Sequence, residues 1–331
     1  MQAKSQGRGG ETVYSFLNLP NTPQLAALGG LNVSAISNDA GMVYSNPGLL
    51  RESMHSQFNF AFNNMYAGIR HVSATGVLFD NNIETVFSAG VNYTNYGNIP
   101  NTDASGNELG EFSPRDFVVH LSAGRKYLER WHYGASLKWI YSGYGQYRSW
   151  GLAMDVGLSY TDSAAKFQAG FVAKTMGVQV KSYTNTGTED LPFNLQAGIS
   201  KTLTNAPMQF SLTAHTLQRL KIGYQDSAFN ADNGFPNSST RKLSIGDFLQ
   251  HLVASVQYTV AERVEISAGY NHLRRTELNI GESGNGLNGF SAGIGISTKA
   301  FQFRFARVHY QNRSAYHQVG LNIVFNQLIS L

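Results

Sequence analysis

The chain has 331 residues, of which only 14% are charged, with 34 glycines, 17 tyrosines and 20 phenylalanines; a soluble protein usually carries about 25% charge, so an ordinary soluble surface is disfavoured. Mean hydropathy is −0.23 and no run of about 18 apolar residues occurs, which excludes a transmembrane helix. A net charge of +4 without a Lys/Arg run gives no basis for nucleic-acid binding, and the absence of cysteine rules out disulfides and thiolate metal sites while leaving the compartment open.

Residues 1–55 do not alternate as strands do. The start, Met1-Gln2-Ala3-Lys4-Ser5-Gln6-Gly7, lacks the apolar stretch of a signal peptide, so the sequence is expected to be a mature chain with an added Met1. Leu25 to Leu28 can form one helical turn, stopped by Gly29 and Gly30. Asn46-Pro47-Gly48 is a turn signal, with φ fixed at Pro47 and a permissive residue after it. Apolar and turn residues are too closely mixed for a free tail, which predicts an ordered segment packed inside the rest of the fold.

From Ser56 onward apolar residues recur at every second position, the mark of a strand with one apolar and one polar face. Trp131-His-Tyr-Gly-Ala-Ser-Leu-Lys-Trp139-Ile-Tyr141 is the clearest case: aromatic residues sit at both ends of one face, with Ala135 and Leu137 between them. Amphipathic rings prefer the two headgroup levels and aliphatic groups the hydrocarbon, so the layout is that of a membrane-spanning strand. A soluble sandwich is the competing reading, and recurrence decides between them. The same alternation marks strands near 58–62, 68–79, 85–93, 117–123, 131–144, 152–160, 167–173, 193–199, 210–214, 252–260, 264–270, 290–296, 301–305 and 319–325.

The connections sort by parity. Those near Asn81, Glu129, Asp162, Asn205, Glu262 and Lys299 are short, whereas 95–115, 177–190, 219–247 and 272–286 are long. Short turns on one side and long loops on the other predict an all-β, transmembrane antiparallel barrel of about fourteen strands over residues 56–331, with residues 1–55 as a hatch in its lumen. The N-terminal segment and the C-terminus are then expected on the periplasmic, short-turn side.

No motif points to catalysis. Gly284-Asn-Gly-Leu-Asn-Gly289 has dinucleotide-loop spacing but leads into a strand, so it is a glycine-rich loop. His120, His132, His215 and His251 fall on polar strand faces without metal-ligand spacing, and no G-x-S-x-G elbow is present. Asp103-Ala-Ser-Gly-Asn-Glu-Leu-Gly-Glu111 is oxygen-rich yet lacks calcium-loop spacing. Lys138, Asp155, Arg263, Glu265 and Arg304 are expected on the lumen face, pairing with one another and with the hatch. No cofactor, metal or catalytic residue is expected.

Ala26-Ala-Leu-Gly-Gly-Leu-Asn-Val-Ser34, Asn38-Asp39 and Tyr44-Ser-Asn-Pro-Gly-Leu-Leu50 resemble the N-terminal signature of the PorV/PorQ family, barrels distantly similar to the fatty acid transporter FadL. The loop Asp103-x-x-Gly106-x-x-x-Gly110-x-Phe112-x-x-x-Asp116 resembles that family too, and Tyr14-Ser-Phe-Leu-Asn-Leu-Pro20 is more similar to its PorQ branch. The resemblance implies a fourteen-stranded barrel with a hatch in the outer membrane of Bacteroidota, within the type IX secretion system's attachment complex. It further implies a PorZ-like surface partner that engages lipopolysaccharide, beside the sortase PorU and the shuttle PorV. Gly29, Gly30, Asn46, Pro47 and Gly48 are expected to fix the hatch, and Phe112, Phe229, Phe235 and Phe248 to face the partner. The alternative is a FadL-like transporter of a hydrophobic small molecule, which would show an apolar pocket at the outer mouth and a kink or gap in the wall.

Overall fold

The computed structural model describes residues 12–184, 187–220, 222, 244–261, 263–277, 286–309 and 315–328. In Trp131–Tyr144 the alternation becomes geometry. Trp131, Tyr133, Leu137 and Trp139 are exposed on the outer face, while Gly134, Ser136, Lys138 and Ser142 are buried on the inner one.

The strands are β1 (Gln57–Asn64), β2 (Arg70–Asp80), β3 (Thr85–Asn95), β4 (Ile99–Thr102), β5 (Glu108–Phe112), β6 (Arg115–Tyr127), β7 (Trp131–Tyr144), β8 (Tyr147–Asp162), β9 (Phe167–Lys181), β10 (Asn194–Thr202), β11 (Met208–Ala214), β12 (Leu252–Val260), β13 (Val264–Asn271), β14 (Phe290–Ser297), β15 (Phe301–His309) and β16 (Ala315–Val324). All but β4 and β5 form one closed antiparallel barrel of fourteen strands, in which β1 pairs with β2 on one side and β16 on the other. Closure leaves the wall no free edge, as a sheet in lipid requires.

The faces are inverted relative to a soluble barrel. Outward residues such as Phe60, Leu121, Leu137, Leu152, Ile266 and Phe303 are exposed, and inward ones such as Thr75, Asn92, Ser136, Asp155, Gln196 and Gln318 are buried. An apolar exterior around a polar interior is the arrangement of a transmembrane barrel. No helix among the described residues is long and apolar enough to cross a membrane.

Turns such as 81–84, 128–130 and 298–300 lie at one mouth, and 96–114, 187–193, 215–220 and 244–251 at the other. These are called the short-turn and long-loop mouths below. Two long connections differ from their expected form. The 95–115 stretch contains the β4–β5 hairpin, whose side chains are nearly all exposed, so no alternation marks it. Residues 177–181, read as loop, continue β9. The cause is a bulge: the β8–β9 register shifts between Met154 and Val156, and Thr175 stands at φ 57°. One inserted residue swaps the two faces. Phe171 therefore points outward before the bulge, and Val178 and Val180 point outward after it.

One further expectation is corrected. Arg263 does not line the lumen; it lies exposed beyond the end of β13, in the turn from β12, where strand parity no longer applies. Ile140, the one apolar residue on the polar face of β7, is fully buried with Val13, Tyr14, Phe16, Leu17, Val118 and Leu191. It faces inward because part of what fills the lumen is apolar.

Candidate functional site

The interior is occupied by residues 12–54. Thr12 bridges Asp190 at the long-loop mouth, with Val13 N–H donating to Asp190 O at 3.0 Å. The segment thus begins, among the described residues, at the mouth opposite to the expected one. The reason is local: its first apolar residues pack under Val118, Ile140 and Leu191 there. It then winds through the lumen to Met54, buried with Val77 and Val86 near the short turns. Leu17, Leu28, Leu49 and Leu50 are each almost wholly buried, and each such burial stabilises by roughly 1.5–3 kcal/mol.

Local sequence explains the path. Pro23 opens the helix Pro23–Ala27, and Gly29 and Gly30 end it at φ 87° and 84°, a conformation that favours glycine. Gly29 is tied to the wall, its N–H donating to Ser291 Oγ at 3.0 Å and its carbonyl accepting from Asn271 Nδ2 at 3.3 Å. Asp39 is a second anchor. Its carboxylate accepts from Thr22 Oγ1, from Gly41 N–H at 2.9 Å and from Asn59 Nδ2 at 3.0 Å, and lies 3.7 Å from Arg304 Nε. Arg304 also reaches Glu265 at 2.8 Å, so a lumen charge pairs with both the wall and the segment.

Asn46-Pro47-Gly48 sits against the inner wall rather than at the entry to β1. Asn46 Nδ2 donates to Val33 O at 2.8 Å and to Leu158 O at 3.2 Å, while Oδ1 accepts from Gly48 N–H at 2.8 Å. The seat is a row of paired glycines, Gly124, Gly134 and Gly157, on β6, β7 and β8. A Cβ on Gly157 would stand 1.9 Å from Asn46 Oδ1, and one on Gly134 would stand 2.4 Å from Pro47 O. Gly170 gives Val33 the same room, its Cβ position being 1.9 Å from Val33 O. Arg51 closes the turn, donating to Gly48 O and Leu50 O at 2.8 Å each and to Ser159 Oγ at 2.7 Å. Burial lowers its pKa to about 10, so it stays cationic at neutral pH.

At mid-height the wall holds a buried ion pair. Lys138 Nζ is 2.5 Å from Asp155 Oδ2, both side chains being 1% exposed. Lys138 and Lys174 stand over the Tyr44 ring, 4.3 and 5.0 Å from its centroid, and Lys174 donates to Tyr44 O at 3.1 Å. Asp155 Oδ1 accepts from Thr175 N–H at 2.8 Å, which holds the β9 bulge. His120 packs edge-on to Tyr44 at 5.2 Å; His215 and His251 are also buried, and His132 is half-buried. Among the described residues no group of three His, Cys, Asp or Glu is placed to hold a metal.

The long-loop mouth holds the site best shaped for a ligand. A cavity of 490 Å³ is lined by Tyr14, Phe16, Tyr96, Tyr144, Tyr147 and Tyr183, with Val13, Asp116 and Glu189 among its other walls. The tyrosines come from the N-terminal segment, the β3–β4 link, the β7–β8 hairpin and the stretch after β9. Tyr96 and Tyr144 lie 5.8 Å apart, and Tyr144 meets Tyr183 edge-on at 5.7 Å. Asp116 accepts from Tyr96 OH at 2.5 Å and from Ser142 Oγ, and Tyr183 OH donates to Ser142. Burial, with Asp116 beside it, raises the Tyr96 pKa, and burial raises that of Tyr183, so both remain protonated donors. In the sequence Tyr14 and Phe16 stand out only within the PorQ-like opening and Tyr144 only as a strand end; none of these rings is singled out there as lining a ligand site. Each closes a different strand or loop, so the only signal was an excess of tyrosine at strand ends, which equally suits a membrane girdle.

The loop phenylalanines are dispersed. Phe112 lies over Gly145 in the β7–β8 turn. Phe248 is 65% exposed in the helix Ile245–Leu249, which Ser244 and Asp247 cap. Phe229 and Phe235 lie outside the described residues.

No protein-family profile matches the chain, nor does any curated protein sequence. The resemblance to the PorV/PorQ family therefore rests on residues 14–20 and 26–50 and the 103–116 loop. Solved structures do share the fold. The CymD monoaromatic hydrocarbon channel is 12% identical with a TM-score of 0.53, covering 92% of this chain and 97% of that one. A TodX monoaromatic hydrocarbon channel variant is 12% identical with a TM-score of 0.53, covering 91% and 97%. A Pseudomonas aeruginosa FadL homologue is 10% identical with a TM-score of 0.50, covering 92% and 98%. At these identities the likeness is one of fold: a FadL-like, fourteen-stranded barrel.

Proposed function

We propose that this chain is a non-enzymatic outer-membrane barrel that takes a small molecule with an aromatic or apolar body into the tyrosine pocket at its long-loop mouth, residues 12–54 acting as the hatch below. The observation that carries this reading is the pocket: rings from four separate parts of the chain converge on one cavity of ligand size. The register shift between β8 and β9 interrupts the wall's ladder, where a transporter would need an irregularity, beside an apolar hollow on the outer face lined by Leu137, Trp139, Leu152, Met154 and Met176. The neighbours of like fold named as hydrocarbon channels support the same class. The test is photolabelling of the full chain in non-ionic detergent with an aryl diazirine. Saturable label is expected on peptides holding Tyr14, Tyr144 and Tyr183, falling severalfold with Tyr144→Ala or excess monoaromatic competitor. Label confined to the lipid-facing wall would sink the reading.

A second reading is the attachment scaffold implied by the PorV/PorQ resemblance, holding a PorZ-like surface protein near PorU and PorV in a Bacteroidota outer membrane that also contains lipopolysaccharide. One observation favours it. Ile245 and Phe248 project from a short capped helix on the long-loop side, 81% and 65% exposed, more apolar surface than a solvated loop needs. A stoichiometric surface protein should co-purify from detergent-solubilised outer membrane and be reduced by Phe248→Ser. Recovery of the barrel alone would remove this reading.

A further inference from the structure

The tyrosine pocket has a charge its apolar rings do not explain. Asp116 is buried to 2% exposure at its wall, Glu189 stands at its rim, and among the described residues no Lys, Arg or His lines the cavity. Among the described residues neither carboxylate forms an ion pair. Burying a carboxylate without a cation is costly, and a cavity for neutral hydrocarbon needs none.

The ring chemistry points the same way. Tyr14, Tyr96 and Tyr183 spend their hydroxyls on Ser149, Asp116 and Ser142 of the wall, so what they offer a ligand is ring surface. Aromatic surface attracts cations through its quadrupole. The Asp116 carboxylate accepts from Tyr96 and Ser142 with the Tyr144 hydroxyl beside it as a third donor, and of a carboxylate's roughly four acceptor positions some remain open.

We propose that the pocket selects a small organic cation, an ammonium head on an aromatic or aliphatic body, with the tyrosine rings around head and body and Asp116 as its counter-charge. The inference rests on the reading that this pocket binds a small molecule, and it narrows the class. Glu189 at the rim would draw such a ligand in without touching its final position.

The experiment is isothermal titration of the full chain in non-ionic detergent with benzyltrimethylammonium and with neopentylbenzene, its uncharged carbon isostere. The cation should bind at least about tenfold more tightly, the range expected for a desolvated cation among rings beside a carboxylate. Asp116→Asn should remove about that factor for the cation and leave the neutral probe unchanged; Glu189→Gln, at an exposed site, should weaken the cation about two- to threefold. The isostere comparison on the unaltered chain decides the matter even if the Asp116 variant does not fold. Equal affinity for both probes overturns the cation inference and leaves the pocket reading in place. A preference that survives Asp116→Asn overturns the role given to Asp116. No binding of either probe overturns both.

Discussion

Asp155→Asn should destabilise the barrel by about 3–5 kcal/mol, the usual effect of removing one partner from a buried ion pair. Asn keeps the shape and can still accept the Thr175 N–H, so the bulge bond survives. What disappears is the negative charge 2.5 Å from Lys138. Two lysine ammoniums, Lys138 and Lys174, would then share the Tyr44 ring with no anion beside them, and ring attraction of about 0.5–2 kcal/mol cannot replace a carboxylate. The double variant Lys138→Met with Asp155→Asn should regain the part of the loss that Lys138 carries, because a neutral pair carries no desolvation cost, with Lys174 alone remaining on the Tyr44 ring. Asp162→Asn makes the comparison. Its partner Arg130 is 2.9 Å away but half exposed, and a pair in solvent contributes about 0–1 kcal/mol. Heat-modified gel mobility and urea unfolding in micelles measure all three. An Asp155→Asn barrel that unfolds with the Asp162→Asn one would show that the mid-wall pair is dispensable.

How much of this was legible depended on whether a residue's role was local. A strand in lipid needs alternation over its own length, so the strand count, closure and the inward face of β7 could be read directly, as could Lys138 and Asp155 on the lumen side. Failures came where the period was broken or absent. At Thr175 one inserted residue reverses the faces, and a pattern search stops there although the strand runs on to Lys181. The β4–β5 hairpin buries almost nothing and so carries no pattern. The mouth pocket needs Tyr14, Tyr96, Tyr144 and Tyr183 brought together from distant stretches, which no spacing rule detects. The glycine seat was visible in part. Gly134 and Gly157 lie on polar strand faces, where alternation marks a small residue only as lumen-facing. That Gly124, Gly134 and Gly157 stand side by side follows from register, which the sequence does not print.

That seat leads to the other large effect expected. Gly157→Val should unseat the N-terminal segment while leaving the wall intact, and the chain should pass from closed to steadily conducting in planar bilayers. The two consequences separate because valine suits a strand better than glycine does. The wall loses nothing, and the new side chain points into the lumen. There its Cβ would fall 1.9 Å from Asn46 Oδ1 and 2.9 Å from Gly48 N, groups held in place by the Asn46–Gly48 turn bond and by Arg51. Overpacking alone costs about 1–3 kcal/mol, and relief requires the turn to lift from Gly134 as well, taking Leu49 and Leu50 out of their burial. The lumen wall at that level is Ser122, Ser136 and Ser159, which water can solvate, so the emptied barrel remains soluble within. Fourteen strands enclose more space than side chains alone fill. Deleting residues 21–45 should therefore give a larger conductance still, with the barrel folded. Gly76→Val, where the nearest atom is a Phe58 ring carbon at 3.8 Å on the outer face, should leave conductance at baseline. An unaltered chain that already conducts as a wide pore, or a deletion that conducts no more than the full chain, would show that residues 12–54 do not close the barrel.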